Sequence, residues 1–379
     1  MPMRYSLLII FIVLTGCEKP PKNAHYQWHL PAEFPKPIVP FDNPMSNEKV
    51  ALGRHLFYDK NLSANRSQSC ASCHQQAYGF GENIKQSIGS TGQTHRRNAQ
   101  ALINVGYNKT FTWAHDKLTS LEAQILIPLF GEQPIEMGVT GNETAILNRF
   151  KTAQYQALTQ QAYGDSRLDF DRIVKALASF SRSLISLNSP FDRYAYHMQD
   201  GQLTKKQLRG MSLFFSEQLE CHHCHGGFNF TQSTTHERQQ LDLRAFHNTG
   251  LYNVAQKYSF PIEDTGLYEI TGKPQDVGRF RAPTLRNIEL TAPYMHDGSI
   301  ATLAEVIDFY AAGGRNISGG KHQGDGTKNP LKSQFVKGFT ISKVQKEELL
   351  DFLSTLTDED FINNPAIADP FIQEQSPKH

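Results

Sequence analysis

The stretch Cys70-Ala71-Ser72-Cys73-His74 and its counterpart Cys221-His222-His223-Cys224-His225 decide how this chain is built. Each is a C-x-x-C-H sequence, the pattern by which a c-type haem is attached to a protein. The two cysteine sulfurs bond to the haem, and the histidine that follows is placed under the iron as its proximal ligand. The sequence therefore predicts two covalently bound haems, one in each half of the chain, with His74 and His225 as iron ligands.

Two other interpretations of these four cysteines have to be weighed. An exported protein can join four cysteines in two disulfides, and C-x-x-C pairs can bind zinc. Neither alternative predicts a histidine directly after both pairs, so haem attachment is favoured. His222 and His223, which stand between the cysteines of the second pair, are interpreted as spacer residues.

The fifth cysteine, Cys17, belongs to an export signal. A short positive start is followed by an apolar run over residues 5–14, about half of the roughly 20 residues that a membrane span needs. The sequence Leu14-Thr15-Gly16-Cys17 resembles the lipobox of bacterial lipoproteins. It predicts a signal peptide over residues 1–16 and a lipidated linker over 17–27 that begins at Cys17. The alternative is an ordinary signal peptide that happens to contain a cysteine.

The residue after the lipidation site predicts where the protein is anchored. Glu18 stands where inner-membrane lipoproteins tend to have aspartate, which favours the outer membrane. The sequence thus predicts a periplasmic, lipid-anchored protein. With 38 basic and 37 acidic residues the formal charge is +1, so no nucleic-acid partner is expected.

The approaches to the two haem motifs match, which indicates an internal repeat. Gly53-Arg54-His55-Leu56-Phe57 precedes the first motif, and Gly210-Met211-Ser212-Leu213-Phe214 precedes the second. Amphipathic helices are predicted to close each copy over residues 170–187 and 342–356. The predicted fold is mainly α, with two tandem cytochrome c-like haem domains and long loops. The predicted segments are an N-terminal domain over residues 28–203, a C-terminal domain over 204–365 and a tail over 366–379.

The second axial position of each iron decides what two haems can do. A helix is predicted over residues 302–311, and its inward face carries Tyr310, which is either a core tyrosine or an iron ligand. In the first half no convincing second ligand is found, although Met137 and His95 are suitable by type and lie in predicted loops. Glu122 is either the acid–base group of a haem pocket or part of a capping box with Thr119, opening a helix that ends at Pro128.

At this point the chain resembles a known family, the bacterial di-haem cytochrome c peroxidases and MauG. The resemblance extends over nearly the whole mature chain and is carried by Ser87-Ile88-Gly89-Ser90, Arg97-Asn98 and Pro293-Tyr294-Met295-His296-Asp297-Gly298. It implies that Ser90 replaces the histidine that plugs the first haem in many of these peroxidases. The first haem is then open to hydrogen peroxide as isolated.

The resemblance also assigns the groups of the first haem pocket. It favours Glu122 as the catalytic acid–base residue. The family commonly has Gln-Phe-Trp-Asp-Gly where this chain has Phe111-Thr112-Trp113-Ala114-His115, so a distal glutamine is expected to be missing, with His115 as the candidate substitute. Trp113 is either a core aromatic or a relay between the haems.

For the second haem the resemblance makes Tyr310 the ligand, because its position is methionine in the peroxidases and tyrosine in MauG. Met295 is the alternative. An anionic oxygen ligand stabilises oxidised iron, whereas methionine raises the potential. The resemblance further implies a calcium ion between the haems, bound by Asn98 and by the backbone carbonyls of Thr291 and Pro293.

Within the family the chain is most similar to the MbnH branch, which is associated with copper-protein gene clusters. The segments that carry this similarity are Trp28-His29-Leu30-Pro31, Asp42-Asn43-Pro44-Met45-Ser46, Thr112-Trp113-Ala114 and Pro128-Leu129-Phe130-Gly131-Glu132. The similarity implies that hydrogen peroxide generates a high-valent di-haem state that oxidises a tryptophan of a periplasmic copper-binding partner of the MbnP type to kynurenine. The alternatives are a cytochrome c peroxidase fed by a small cytochrome or cupredoxin, and a di-haem electron carrier.

Overall fold

The computed structural model describes residues 26–239, 243–254 and 259–374. Cys17 and the predicted signal peptide lie outside the described residues. In this part of the chain no helix is both long enough and apolar enough to cross a bilayer. The helices are α1 (Asn47–Tyr58), α2 (Cys70–Cys73), α3 (Leu121–Phe130), α4 (Glu143–Arg149), α5 (Ala153–Tyr163), α6 (Phe170–Arg182), α7 (Pro190–Ala195), α8 (Lys205–Phe214), α9 (Cys221–His225), α10 (Tyr268–Thr271), α11 (Leu303–Ala311), α12 (Lys343–Ser354), α13 (Glu359–Ile362) and α14 (Pro370–Glu374).

Strands are short and few in the described residues, so the fold is mainly α, as the sequence predicted. Two antiparallel ribbons are present, one pairing β1 (Phe246–His247) with β2 (Phe280–Arg281) and the other pairing β3 (Asn316–Ile317) with β4 (Gly324–Asp325). Long irregular segments connect the helices. The haem motifs themselves form α2 and α9.

Each half is built on one pair of closely packed helices, α1 with α6 and α8 with α12. A Cβ added to Gly53 would lie 2.0 Å from the backbone oxygen of Ala176, and one added to Gly210 would lie 1.9 Å from that of Glu348. Both distances are far below van der Waals contact, so only glycine lets the helices approach this closely. The repeated Gly-x-x-x-Phe sequence is therefore a repeated helix contact.

The ends of several helices were predicted closely, and those of α3 and α6 were not. Thr204 caps α8 and Thr302 caps α11, both in capping boxes, and α12 ends two residues before the predicted boundary. Helix α6 ends at Arg182, although the sequence predicted helix to residue 187. Leu184 and Leu187 are still buried, so the apolar spacing persists there because the chain remains in the core, not because it remains helical.

The two hydrophobic cores do not separate at the predicted boundary between residues 203 and 204. Phe361 and Ile367, near the C-terminal end, pack into the core of the first half. Phe191 of α7, which precedes the boundary, packs into the core of the second half. Next to Phe191, the fully buried Asp192 forms a bidentate ion pair with Arg286, with N–O distances of 2.7 and 2.8 Å. The halves are therefore interlocked at both ends.

Candidate active site

The first haem motif lines a cavity of about 420 Å³ in the N-terminal half. Cys70, Cys73 and His74 lie on its wall together. His74 Nδ1 lies 2.9 Å from the backbone oxygen of Phe80. Because a carbonyl only accepts hydrogen bonds, Nδ1 carries the proton and Nε2 is the nitrogen available to a metal. Burial lowers the pKa of His74, which keeps the ring neutral, as a metal ligand must be.

The second haem motif has the same arrangement around a cavity of about 200 Å³. Cys221, Cys224 and His225 line it. His225 Nδ1 donates to the backbone oxygens of Pro283 at 3.1 Å and Phe230 at 3.3 Å. Burial lowers the pKa of His225 to about 4, so this ring is also neutral at physiological pH.

The four cysteines fit neither disulfides nor a zinc site, the two alternatives to haem attachment. All four are free thiols, not disulfides. Burial raises the pKa of Cys70, Cys73 and Cys221 to about 12 and that of Cys224 to about 11, so they are neutral. Among the described residues neither pair belongs to a compact group of metal-ligand atoms, as a zinc site would require. Two thiols and a neutral histidine around an apolar cavity fit a c-type haem in each half.

Tyr310 lies on the wall of the second cavity, on the face of α11 that also carries Leu303, Val306 and Ile307. Burial raises the pKa of its phenol, so the oxygen is ionised only beside a cation such as iron. Met295 lines the same cavity in a left-handed backbone conformation, with φ of 70°. Both candidate ligands therefore have access to this cavity.

Glu122 does not line the first cavity, contrary to the role that the sequence favoured for it. Its Oε1 accepts hydrogen bonds from Asn43 Nδ2 and from Arg182 Nη2, both at 2.8 Å. Burial by itself would raise the pKa of Glu122, but the Arg182 charge and these hydrogen bonds lower it. Glu122 is thus an ionised carboxylate on α3 that joins this helix to α6 and to the segment before α1 by hydrogen bonds.

The capping box predicted from Thr119 and Glu122 is also wrong. Ser120 is the N-cap of α3, and its side chain accepts from the backbone N–H of Ala123. The helix continues through Pro128 to Phe130 instead of ending at Pro128. The face that α3 turns to the cavity includes Leu121, Gln124, Ile125 and Pro128.

Two polar residues that the sequence reasoning missed line the first cavity, Glu136 and Gln124. Burial raises the pKa of Glu136 to about 7. Gln124 Oε1 is buried and has no hydrogen-bond partner among the described residues. The glutamine expected from the upstream motif is absent from residues 111–115, but Gln124 of α3 places an amide in this pocket. The i, i+3, i+4, i+7 spacing places Gln124 on the same helix face as Leu121, and this signal in the sequence could have identified it.

His115 does not take the place of a distal glutamine. Its Nδ1 accepts hydrogen bonds from the backbone N–H groups of Lys117 at 3.2 Å and Leu118 at 3.1 Å. These bonds hold a turn, and the ring is not part of the cavity wall. His115 had been proposed as a substitute because it lies in the segment that replaces the family's Gln-Phe-Trp-Asp-Gly motif.

Of the other residues considered for the first iron, some line the cavity and one does not. Met137 and His95 both line the cavity, and His95 Nδ1 lies 3.7 Å from Glu136 Oε1. Ser90 is not on the wall, and its backbone N–H donates to the backbone oxygen of Glu136 at 2.8 Å.

Trp113 and the three predicted calcium ligands lie between the two large cavities. Trp113 lines both of them. Asn98, Thr291 and Pro293 line a third cavity of about 70 Å³, which also touches Trp113. The Asn98 amide nitrogen donates to the backbone oxygens of Ile84 and Lys85, which turns its oxygen away from them. Oxygen donors from an amide and two carbonyls suit calcium.

Comparison with known proteins agrees with this geometry. Residues 47–200 match the sequence profile of the family described as di-haem cytochrome c peroxidase. The chain is 33% identical to cytochrome-c peroxidase IdrP1 of Pseudomonas sp. (strain SCT), over 94% of this chain and 92% of that protein. It is 30% identical to the methylamine utilization protein MauG of Methylorubrum extorquens, over 87% and 85%.

Among solved structures, the chain is similar to a MauG-like protein associated with microbial copper homeostasis. The TM-score is 0.89 and the identity 46%, over 91% of this chain and 99% of the other. Two tandem helical domains, each with two cysteines and a histidine at an apolar cavity, define a di-haem c-type protein. The chain belongs to the di-haem cytochrome c peroxidase and MauG family, whose members are oxidoreductases that carry two c-type haems and use hydrogen peroxide.

Proposed function

We propose that this protein is a peroxide-dependent oxidase that oxidises a tryptophan of a partner protein to kynurenine, as in the MbnH branch. The observation that carries the proposal is that Tyr310 lines the second cavity and Trp113 lines both cavities. The similarity to a protein associated with copper homeostasis supports a copper-binding partner of the MbnP type.

In this proposal one haem is held by Cys70, Cys73 and His74, and the other by Cys221, Cys224 and His225. Each bound haem supplies an iron that exchanges electrons, and the first also supplies the position where peroxide binds. The hydrogen bonds from His74 Nδ1 and His225 Nδ1 to backbone oxygens fix each ring for its iron.

Glu136 and Gln124 are proposed as the polar groups that act on peroxide. Cleaving peroxide requires a proton to leave one oxygen and to reach the other oxygen, which departs as water. A carboxyl group with a pKa of about 7 can take up this proton and return it near neutral pH. The Gln124 amide, whose oxygen has no partner, can orient the peroxide by a hydrogen bond. This proposal replaces Glu122 and His115 as catalytic residues.

Tyr310 is proposed as the second ligand of the second iron. A phenolate is a hard anion that favours the oxidised metal, so the second site suits storage of oxidising equivalents more than electron entry. Trp113 is proposed as the relay between the two sites. Asn98, Thr291 and Pro293 are proposed to hold a calcium ion that fixes the junction beside Trp113.

We also propose that the protein is exported to the periplasm and anchored by a lipid at Cys17 in the outer membrane. The support is the lipobox-like sequence that ends at Cys17 and the glutamate that follows it. Radiolabelled palmitate incorporation in the wild type and in Cys17→Ser would test the anchor. Label retained by the variant would contradict it.

The function is tested by co-expressing the di-haem protein with a copper-binding periplasmic neighbour and measuring the partner by peptide mass spectrometry. The proposal expects the mass of one partner tryptophan to change by the difference between tryptophan and kynurenine only when the enzyme is present. The similarity to cytochrome-c peroxidase IdrP1 supports a second candidate, peroxide detoxification. That function predicts an unmodified partner, a need for prior half-reduction, and rapid turnover with a reduced small cytochrome.

A further inference from the structure

A cluster on the outer surface of the second haem motif is not used by any of the chemistry above. It consists of Glu217, His222 and His223, whose ligand atoms all lie within 4.8 Å of one another. We propose that this cluster is a surface binding site for one divalent transition-metal ion, with copper(II) as the preferred ion. The two histidines are then more than spacers between Cys221 and Cys224.

The distances in the cluster allow its three side chains to meet at one ion. His222 Nε2 lies 3.4 Å from Glu217 Oε1, and His223 Nε2 lies 3.3 Å from Glu217 Oε2. A charge-assisted hydrogen bond is shorter, about 2.7–2.9 Å. Two ligands about 2.0–2.1 Å from one ion are separated by at most about 4 Å, so both distances allow a shared ion. The carboxylate therefore sits where a coordinating group would.

The two histidine rings converge in a way that helix geometry does not require. Adjacent residues on a helix point about 100° apart, yet the ring centroids of His222 and His223 are 4.2 Å apart. His223 is held by stacking on Phe335, with centroids 4.5 Å apart and planes at 16°. Two protonated rings this close would repel, whereas two neutral rings can share a cation.

A further carboxylate borders the site and holds His223 Nε2 by a hydrogen bond, and a bound ion would replace the proton of that bond. Glu220 Oε2 lies 2.9 Å from His223 Nε2, and the other oxygen of Glu220 pairs with Lys337 Nζ at 2.6 Å. The Glu217 side chain is 76% exposed, so an ion can enter from solvent without any opening of the fold. The buried His225 of the same motif faces the cavity instead, which keeps this site distinct from the haem.

The ligand set determines the class of ion. Imidazole with carboxylate suits copper, zinc and nickel, and does not select calcium or magnesium. At a given site of nitrogen and oxygen ligands, affinity rises from manganese to copper(II) and is lower for zinc. Copper(II) is thus expected to bind most tightly. This inference does not depend on the proposed oxidation of a partner.

The test uses the purified di-haem holoprotein, treated with a chelator and titrated with copper(II) sulfate by calorimetry. One tight equivalent is expected, with an electron paramagnetic resonance signal showing nitrogen coupling from two imidazoles. His223→Gln and Glu217→Gln should each weaken this binding by at least about ten-fold, since losing even an outer-shell partner costs about 10–100-fold. The variants retain C-x-x-C-H, and their haem absorbance verifies that attachment is intact.

The matched control is His322→Gln, which alters another surface histidine beside a single glutamate, Glu263. It should leave the tight equivalent unchanged. The proposal is overturned if wild type and His223→Gln bind copper(II) equally, or if the His322 variant loses the tight equivalent instead. A signal with no imidazole coupling would overturn it as well.

Discussion

Trp113 Nε1 donates a 2.8 Å hydrogen bond to the backbone oxygen of Asn98, and the indole lies on the walls of both large cavities. This bond joins the aromatic ring to a residue of the third, smaller cavity. The position of the ring is therefore fixed by the backbone between the two sites. An indole is an easily oxidised group, so this position suits the relay proposed for Trp113.

Replacing Trp113 with phenylalanine is expected to separate the two sites electronically. Peroxide should still react at the first haem, but oxidation of the second should slow by roughly ten-fold or more, a barrier increase of about 1.4 kcal/mol. Stopped-flow absorbance of both haems after peroxide addition measures this. Trp28→Phe is the control, because Trp28 packs on Tyr26 and does not line either cavity. Equal effects of the two variants would exclude the relay.

Replacing Glu136 with glutamine should remove the acid–base group. The rate of the peroxide reaction is expected to fall about 10²–10⁴-fold, the usual contribution of such catalysis. In the wild type, the carboxyl is protonated below its pKa of about 7 and ionised above it. The second-order rate should therefore rise with pH through this region, and the rise should vanish in the variant. If the rate of Glu136→Gln still rises with pH through this region, another group transfers the proton.

Glu122→Gln should affect stability and leave the peroxide reaction nearly unchanged. It removes the charge that pairs with Arg182, and hydrogen bonds to charged groups contribute about 1.5–3 kcal/mol. Since the folded pKa is lowered from its ordinary value of 4.5, this contribution is present above that pH and is lost as the pH falls below it. Urea unfolding at pH 7 and pH 4 measures the difference. A large loss of peroxide reactivity with normal stability would restore Glu122 to the catalytic role.

Tyr310 variants should alter the second haem alone. Tyr310→Phe removes the oxygen donor, so the ferric spectrum of this haem should lose its tyrosinate features. Tyr310→Met should keep two axial ligands and raise the reduction potential. Visible and paramagnetic resonance spectra with redox titration measure both effects. If Tyr310→Phe is spectroscopically silent, Met295, on the same cavity wall, is the ligand.

Alanine at either helix-crossing glycine should destabilise the protein. The added methyl group of Gly53→Ala or Gly210→Ala would meet a backbone oxygen at about 2 Å, which forces the helix pair apart. Overpacking of this kind typically costs about 1–3 kcal/mol. Gly164→Ser serves as the comparison. Gly164 is the C-cap of α5, where nothing lies near its Cβ and glycine is needed only for its backbone conformation. Thermal unfolding followed at 222 nm measures the loss, and an unchanged midpoint in both alanine variants would be evidence against close helix contact.

Local patterns in the sequence were enough for the haem motifs, the repeat and most helix ends. C-x-x-C-H is contiguous, and a capping box such as Thr302 with Glu305 involves residues three apart, so neither depends on distant parts of the chain. The spacing that placed Tyr310 on an inward face is likewise local to α11 and agrees with its position on the cavity wall.

The pocket groups were predicted less well, because the face that a helix turns to a cavity depends on how the whole helix packs. Glu122 was favoured through the resemblance to the family and not through any predicted contact. In the structure α3 turns Gln124 to the cavity, and Glu122 contacts Arg182. Glu136 lies in an irregular loop, where no periodicity indicates what a side chain faces.

The amino-acid sequence by itself determined that the chain holds two haem motifs in a repeated helical framework. Haem attachment and helix formation both depend on residues that are neighbours in the sequence. Only the tertiary structure decided which carboxylate enters the first cavity and that Trp113 lies between the cavities. The same is true of the convergence of His222 and His223 on Glu217. These relations depend on where separate segments pack, and packing is set by the whole core and not by any one stretch of the chain.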